Sequence, residues 1–304
     1  MTVCTGNICR SPVGEYLIRQ HAQEAGVPVT VTSSGISNEE EGNRIDPRAA
    51  AQLTTRGIDP SAHRASVFTV EDFDRNDLIL AIATPACQAV AGATADIPIV
   101  GTAITDYAAS GLVADNDAPG GNVTGTSDLT PVEEQFDLLR KLLPNAKRVA
   151  VLYCTAESNS SVQAGMAHDA ASARNLDAED YTVSSSNEIQ QVVESMIGKV
   201  DVIYAPTDNT IAAGMQTVAM VATENKLPII CGESGMVGNG GLATYGIDYG
   251  KLGRKAGEMA VRILNGEAKP AEMPIEHLDV SECTLTTNEE AAKTLGIDLS
   301  VLDA

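Results

Sequence analysis

From residue 77 onward, short apolar runs alternate with stretches of helical periodicity, and this alternation leaves few folds open. Leu78-Ile79-Leu80-Ala81-Ile82-Ala83 is apolar at every position, as a strand buried on both faces requires. Thr84-Pro85 follows and opens a helix-like stretch over Ala86–Ala93, and Ile97–Ile104 reads as the next strand. Thr130-Pro131-Val132-Glu133 has the form of a capping box with Pro at the first helical position. Val132, Phe136, Leu139 and Leu143 make the stripe that this helix buries, and Pro144 stops it. Arg148–Cys154 predicts a strand and roughly Val162–Arg174 the helix behind it. Ile189, Val192, Val193, Met196 and Ile197 mark another helix, closed by Gly198. Val200–Ala205 and Leu227–Cys231 predict strands flanking a helix that starts near Asn209. The spacing means an α/β protein with doubly wound, Rossmann-like parallel sheets, two of them. Gly111–Asp128 and Gly235–Gly246 are the predicted crossings between two lobes.

Sheets of this kind bind ligands beyond the carboxyl ends of their strands, and polar residues collect there. Thr84 follows one strand and Thr105-Asp106 the next. Glu157-Ser158-Asn159-Ser160-Ser161 follows Arg148–Cys154, Thr207-Asp208-Asn209 follows Val200–Ala205, and Gly232-Glu233-Ser234 follows Leu227–Cys231. Each set taken singly reads as a helix cap, because Ser, Asn and Asp are ordinary N-caps. Five sets in register predict a shared ligand cleft.

The front of the chain carries different chemistry. Cys4-Thr5-Gly6-Asn7-Ile8-Cys9-Arg10-Ser11-Pro12 is a Cys-x5-Arg-Ser loop between a short apolar strand, Met1-Thr2-Val3, and a helix start. Five residues between Cys and Arg can wrap a loop whose amides point at one oxyanion, with Arg10 clamping it. The positive end of the following helix favours both bound phosphate and a Cys4 thiolate. Ser11 suits the N-cap and Pro12 the first helical position, and Val13, Tyr16 and Leu17 begin an apolar stripe. The pattern predicts a phosphate-transfer nucleophile.

This run resembles the signature loop of low-molecular-weight protein-tyrosine phosphatases. The likeness continues through Ser33-Ser34-Gly35, Gly42-Asn43-Arg44-Ile45-Asp46-Pro47-Arg48-Ala49, Arg56-Gly57-Ile58 and His63-Arg64-Ala65, ending at Asp77-Leu78-Ile79-Leu80-Ala81. It implies that Cys4 is the nucleophile and that Arg10 and the loop Cys4–Ser11 hold the phosphoryl group. Asn7 and Ser11 would brace the loop and the thiolate, and Cys9 would form a protective disulfide with Cys4. The family's general acid, an Asp in a late Asp-Pro pair, has no counterpart. Asp46-Pro47 and Asp59-Pro60 are the Asp-Pro pairs here, and both fall in the wrong part of the pattern.

The remainder resembles the tryptophan/tyrosine-type substrate-binding proteins of ABC transporters, which have a two-lobed type I periplasmic-binding-protein fold. The matching runs include Gly101-Thr102-Ala103-Ile104-Thr105-Asp106, Asn122-Val123-Thr124-Gly125-Thr126-Ser127-Asp128 and Tyr153-Cys154-Thr155-Ala156-Glu157-Ser158-Asn159-Ser160. Ala205-Pro206-Thr207-Asp208-Asn209-Thr210 and Thr244-Tyr245-Gly246-Ile247-Asp248-Tyr249 complete them. The resemblance implies capture of a small amino-acid-like solute between two closing lobes, and an ABC permease as partner. Asp208 or Glu233 would take an ammonium group and the Ser158–Ser160 turn a carboxylate. The first lobe is thus begun by half of a phosphatase fold, over 1–76. Residues 77–304 supply the rest of that lobe and a second lobe over about 131–235. The join falls at Asp77-Leu78-Ile79-Leu80-Ala81, which both families carry as the third strand of a sheet ordered 2-1-3. The exchange therefore preserves the crossovers and puts the Cys4 loop beside Thr84, at the mouth of the cleft.

Bulk properties narrow the functions further. A net charge of −21 over 304 residues argues against nucleic-acid and anionic-membrane partners. No apolar run has the length of a membrane span, and no signal peptide precedes the first strand, which implies a cytoplasmic chain. Six cysteines and four histidines lack metal spacing, so neither metal nor other cofactor is expected, and Cys154 and Cys231 read as buried, inert thiols. Three readings follow: a solute-binding protein with an oxyanion loop at its cleft, a phosphatase impaired by its missing acid, or a join of two genes without selected function.

Overall fold

The structure, a computed structural model, describes residues 1–302. The chain forms two compact units: Met1–Asp128 with Tyr249–His277, and Leu129–Asp248 with the segment from Leu278 onward.

The first unit begins β1 (Thr2–Cys4), α1 (Arg10–Ala25), β2 (Ser33–Gly35) and α2 (Pro47–Thr54), then β3 (Ile79–Ile82), α3 (Thr84–Ala91), β4 (Ile99–Ile104) and β5 (Val123–Ser127). The sheet order is β2-β1-β3-β4-β5, with every pair parallel. Three-residue β1 is central: Val3 pairs with Ser34 on one side and Ala81 on the other. The 2-1-3 order expected around the join is therefore present. Ser11 is not the N-cap of α1, which starts at Arg10 and has no side-chain cap. The Ser11 hydroxyl is turned to the Cys4 loop instead. Val13, Tyr16 and Leu17 do form an apolar stripe, half-buried against Ile45, Ala49 and Leu53. Asp46 caps α2 through Arg48 N and Ala49 N, ahead of Pro47. The stretch Gly111–Asp128, read as a loop-rich crossing, contains β5, a strand whose Thr and Gly content hid it.

The second unit runs through α4 (Val132–Leu142), β6 (Arg148–Cys154), α5 (Ser158–Ala173), β7 (Asp177–Val183), α6 (Ile189–Met196) and β8 (Val202–Ala205). It continues with α7 (Asn209–Ala213), α8 (Met215–Glu224), β9 (Ile229–Cys231), α9 (Ser234–Gly238) and β10 (Ala243–Gly246). The long helix α10 (Tyr249–Leu264) then belongs to the first unit, and β11 (Thr284–Thr287) and α11 (Glu289–Leu295) return to the second. Its sheet order is β11-β10-β9-β8-β6-β7, parallel except for β11, which pairs antiparallel to β10. This edge departs from the all-parallel expectation. Apolar clusters cover both faces of β6 and β8: Ala150, Leu152, Ile203 and Ala205 on one, Val149, Val151, Val202 and Tyr204 on the other. Continuous apolar runs were the sequence signature of that double burial.

Three local expectations are corrected. Thr130 does not cap α4: its Oγ1 is buried without a partner, and Pro131 occupies the cap position. The helix expected from Val162 starts four residues earlier, so Ser158–Ser160 form its first turn. Gly235–Gly246 is no crossing but α9, a turn and β10 inside the second unit. Close packing explains a glycine there, since a Cβ at Gly241 would stand 2.1 Å from Cys231 Sγ. The second unit therefore runs past residue 235 to Asp248 and takes in the segment from Leu278.

Candidate functional site

In the first unit the Cys4 loop lies between the carboxyl end of β1 and the amino end of α1, built from Thr5, Gly6, Asn7, Ile8 and Cys9. Asn7 is its keystone. It adopts φ +53°, a left-handed conformation that Asn tolerates better than most residues. Its Nδ2 donates to Ser11 Oγ and Ser33 Oγ, both at 2.9 Å, while its Oδ1 accepts from Ser66 N at 3.0 Å. His63 Nε2 donates to Asn7 O at 2.7 Å, which assigns the imidazole tautomer. Asn7 is fully buried and His63 8% exposed, so these bonds act out of water, where a lost partner is expensive. Ser11 Oγ lies 3.1 Å from Cys4 Sγ and donates to Ser34 O at 3.3 Å. Ile36 N and Ser37 N bind Cys4 O and Thr5 O, and Asp46 N binds Ile8 O. Cys4 and Cys9 are free thiols, the first buried and the second exposed.

Farther along the same sheet edge, Thr84 begins α3 after Ala83, which takes φ +79°, and is buried. Thr105 Oγ1 donates to Asp128 Oδ1 at 3.4 Å, and Tyr249 OH donates to Asp128 Oδ2 at 3.0 Å. Burial pushes the Asp128 carboxyl up to about 6, against the pull of those hydrogen bonds and of the Arg10 charge. Asp106 accepts from Ala109 N and Asn116 Nδ2, the work of a turn residue. Nothing in the spacing of Asp128 and Tyr249 signalled their meeting.

The second unit's edge is more tightly built. Glu157 accepts four hydrogen bonds, from Asn209 N and Nδ2 on Oε2 and from Thr210 N and Oγ1 on Oε1. Asp208 caps α7 through Ile211 N and accepts from Cys154 N and Ser160 Oγ, each at 2.7 Å. Burial, with the Glu157 carboxylate adding to it, raises the Asp208 carboxyl above its usual range. Gln163, absent from the expected site, clasps Thr207: its Oε1 accepts from Thr207 N and Oγ1, and its Nε2 donates to Thr207 O. Asn159 Nδ2 donates to the same carbonyl at 3.0 Å. Glu233 caps α9 through Gly235 N and Met236 N.

The five polar sets are divided between the two sheets: Thr84, Thr105 and Asp106 in the first unit, Ser158–Ser160, Asp208, Asn209 and Glu233 in the second. Asp208 and Glu233, the expected ammonium acceptors, have their carboxylates engaged by backbone amides. Among the described residues no cluster of three or more His, Cys, Asp or Glu is placed to hold a metal, and no helix is long and apolar enough to cross a membrane.

Comparison with known proteins divides the chain as its chemistry does. The model of the ABC transporter substrate binding protein family matches residues 64–301, and that of the low molecular weight phosphotyrosine protein phosphatases residues 1–111. The chain belongs to the ABC transporter substrate binding protein family, with a phosphatase-type segment at its front. The overlap, 64–111, contains the shared Asp77–Ala81 string. A tyrosine-binding protein of Clostridioides difficile is 45% identical over 231 residues, covering 76% of this chain and 66% of that protein. A low molecular weight protein-tyrosine-phosphatase of Streptomyces coelicolor is 40% identical over 82 residues, 26% of this chain and 49% of the enzyme. The chain therefore spans less than two thirds of the first relative and about half of the second. An ABC domain from Streptococcus pneumoniae, solved in complex with L-Trp, superposes with a TM-score of 0.79 at 35% identity, over 99% of this chain and 97% of that one. A conserved domain protein from Vibrio cholerae gives 0.78 at 28% identity, over 99% and 97%. The fold is that of two-lobed type I binding proteins.

Proposed function

We propose that this chain captures a small amino-acid-like solute, an aromatic amino acid, and presents it to an ABC permease. One observation carries the reading: Glu157, Gln163 and Asp208 tie the polar edge beyond β6 and β8 into a hydrogen-bonded network of its own. A preorganised edge loses little freedom on binding, so a few hydrogen bonds suffice for recognition. The tyrosine-binding relative and the L-Trp complex support the aromatic solute. The polar contacts that a binding protein normally supplies upstream of Asp77 come here from another family. Two missing contacts at ~1–1.5 kcal/mol each weaken binding roughly ten- to a hundredfold. Calorimetry with tryptophan, tyrosine and phenylalanine tests the reading. Weak, saturable binding of at least one supports it, and no binding of any at millimolar concentration overturns it.

The Cys4 loop supports a second activity. With Ser11 Oγ 3.1 Å from the sulfur and Arg10 opening α1, the loop suits an oxyanion. Attack of Cys4 Sγ on a phosphomonoester would form the S–P bond of a cysteinyl-phosphate and release the ester oxygen. Without an Asp-Pro acid to protonate that oxygen, about 10²–10⁴-fold of rate is lost. Slow hydrolysis of p-nitrophenyl phosphate, abolished by Cys4→Ser, is expected, with almost none of phosphotyrosine peptides. Efficient phosphopeptide turnover would replace the solute-binding reading with an enzymatic one.

A further inference from the structure

Three buried side-chain atoms among the described residues lack a hydrogen-bond partner: Ser110 Oγ, Thr130 Oγ1 and Asn159 Oδ1. Buried polar groups are satisfied in the great majority of cases, so each exception asks for a reason. The two hydroxyls can rotate to suit their surroundings, whereas an amide has a fixed oxygen side. Asn159 Nδ2 donates to Thr207 O, and that bond determines where its oxygen points. Thr207 is itself clasped by Gln163, so the amide cannot turn over without breaking the edge. Asn159 is 4% exposed and sits in the first turn of the sixteen-residue helix α5. Its neighbours offer no competing demand. Glu157 already accepts four hydrogen bonds and Asp208 three, and Glu233 is held by the amides of α9. What Asn159 Oδ1 lacks is a donor.

We propose that Asn159 Oδ1 accepts an N–H of the solute's ammonium group, making it the residue that selects amino acids over carboxylic acids of the same shape. The ligand's carboxylate then lies toward the amino end of α5, where the helix dipole favours negative charge. A zwitterion satisfies both features, while a des-amino analogue leaves the amide oxygen orphaned. This assignment rests on the solute reading above and deepens it.

Titrating the full chain with L-tryptophan and with indole-3-propionate, which differ by the ammonium group, separates the two ideas. The wild type is expected to prefer tryptophan by about ten- to a hundredfold, the usual cost of an unmet buried acceptor. Asn159→Leu removes the acceptor at similar volume and also loses the bond to Thr207, a loss both ligands share. The ratio of affinities is therefore the readout, and it is expected to fall to about one. Asn159→Ala removes the same acceptor without adding bulk and is expected to bring the ratio to about one as well, so the test survives if the Leu variant fails to fold. Equal binding of the two ligands by the wild type, or an unchanged preference in folded Asn159→Leu or Asn159→Ala, overturns the assignment and leaves the solute reading standing. Binding of neither ligand overturns the solute reading, and this assignment with it.

Discussion

The Tyr249 hydroxyl donates to Asp128 Oδ2 at 3.0 Å, joining the residue that ends the first segment of its unit to the one that begins the second. The carboxyl is 5% exposed, and burial pushes its pKa up to about 6, above the unfolded value near 3.9. Between those values the native state holds more protons than the unfolded state. Stability therefore falls as pH rises through that window, and the full penalty is present above it. Asp128→Asn should raise the unfolding free energy at pH 7.5 by up to about 3 kcal/mol, read as a higher urea midpoint, and change little at pH 4. An equal effect at both pH values would mean that the carboxylate carries no such penalty.

Gly35 backs onto the Cys4 loop so closely that a Cβ there would stand 2.8 Å from Thr5 O and 2.9 Å from Gly6 C. Gly35→Ala should displace the loop and weaken vanadate binding at least tenfold. Gly165→Ala, in open space on α5, serves as the control and should leave it unchanged. Equal vanadate affinity in all three proteins would show that the loop is not the oxyanion site.

Cys9 is exposed, whereas Cys4 is buried beneath the bonds of Asn7. Iodoacetamide should label Cys9 first. Asn7→Ala removes the bonds to Ser11, Ser33 and Ser66, and should raise the labelling rate of Cys4 severalfold by mass spectrometry. A Cys4 rate unaffected by the substitution would assign the loop's rigidity elsewhere, to His63 and the backbone.

Asp208→Ala would leave Cys154 N and Ile211 N without their buried acceptor. We expect a stability loss of about 2–4 kcal/mol, the sum of two orphaned amides. The variant should therefore lose solute binding through unfolding of the edge, and thermal melts should register the change before any titration does. An unchanged melt with lost binding would instead make Asp208 a direct ligand.

Much of this was legible in the sequence. Apolar runs such as Val149–Leu152 announce strands covered on both faces, and strands so covered need helices on either side. Cys4, Arg10 and Ser11 marked the loop between β1 and α1 because their spacing is local, closed within eight residues. Strands such as β5 and β7 escaped notice, because Thr, Gly and acidic residues in edge positions carry no apolar run.

The sequence by itself determined the alternation of elements, the loop that follows β1 and the place where two families meet. These depend on neighbours in the chain, whose geometry is set by covalent spacing and helical or extended repeat. Tertiary structure decided what each polar group does. Asp208 became a brace because folding brings Cys154 N, fifty-four residues away, within 2.7 Å of it. Asn159 kept an unmet oxygen because Thr207, forty-eight residues away, claimed the other end of its amide. A polar side chain's role is set by which donors and acceptors surround it, and those arrive only when distant strands align in one sheet.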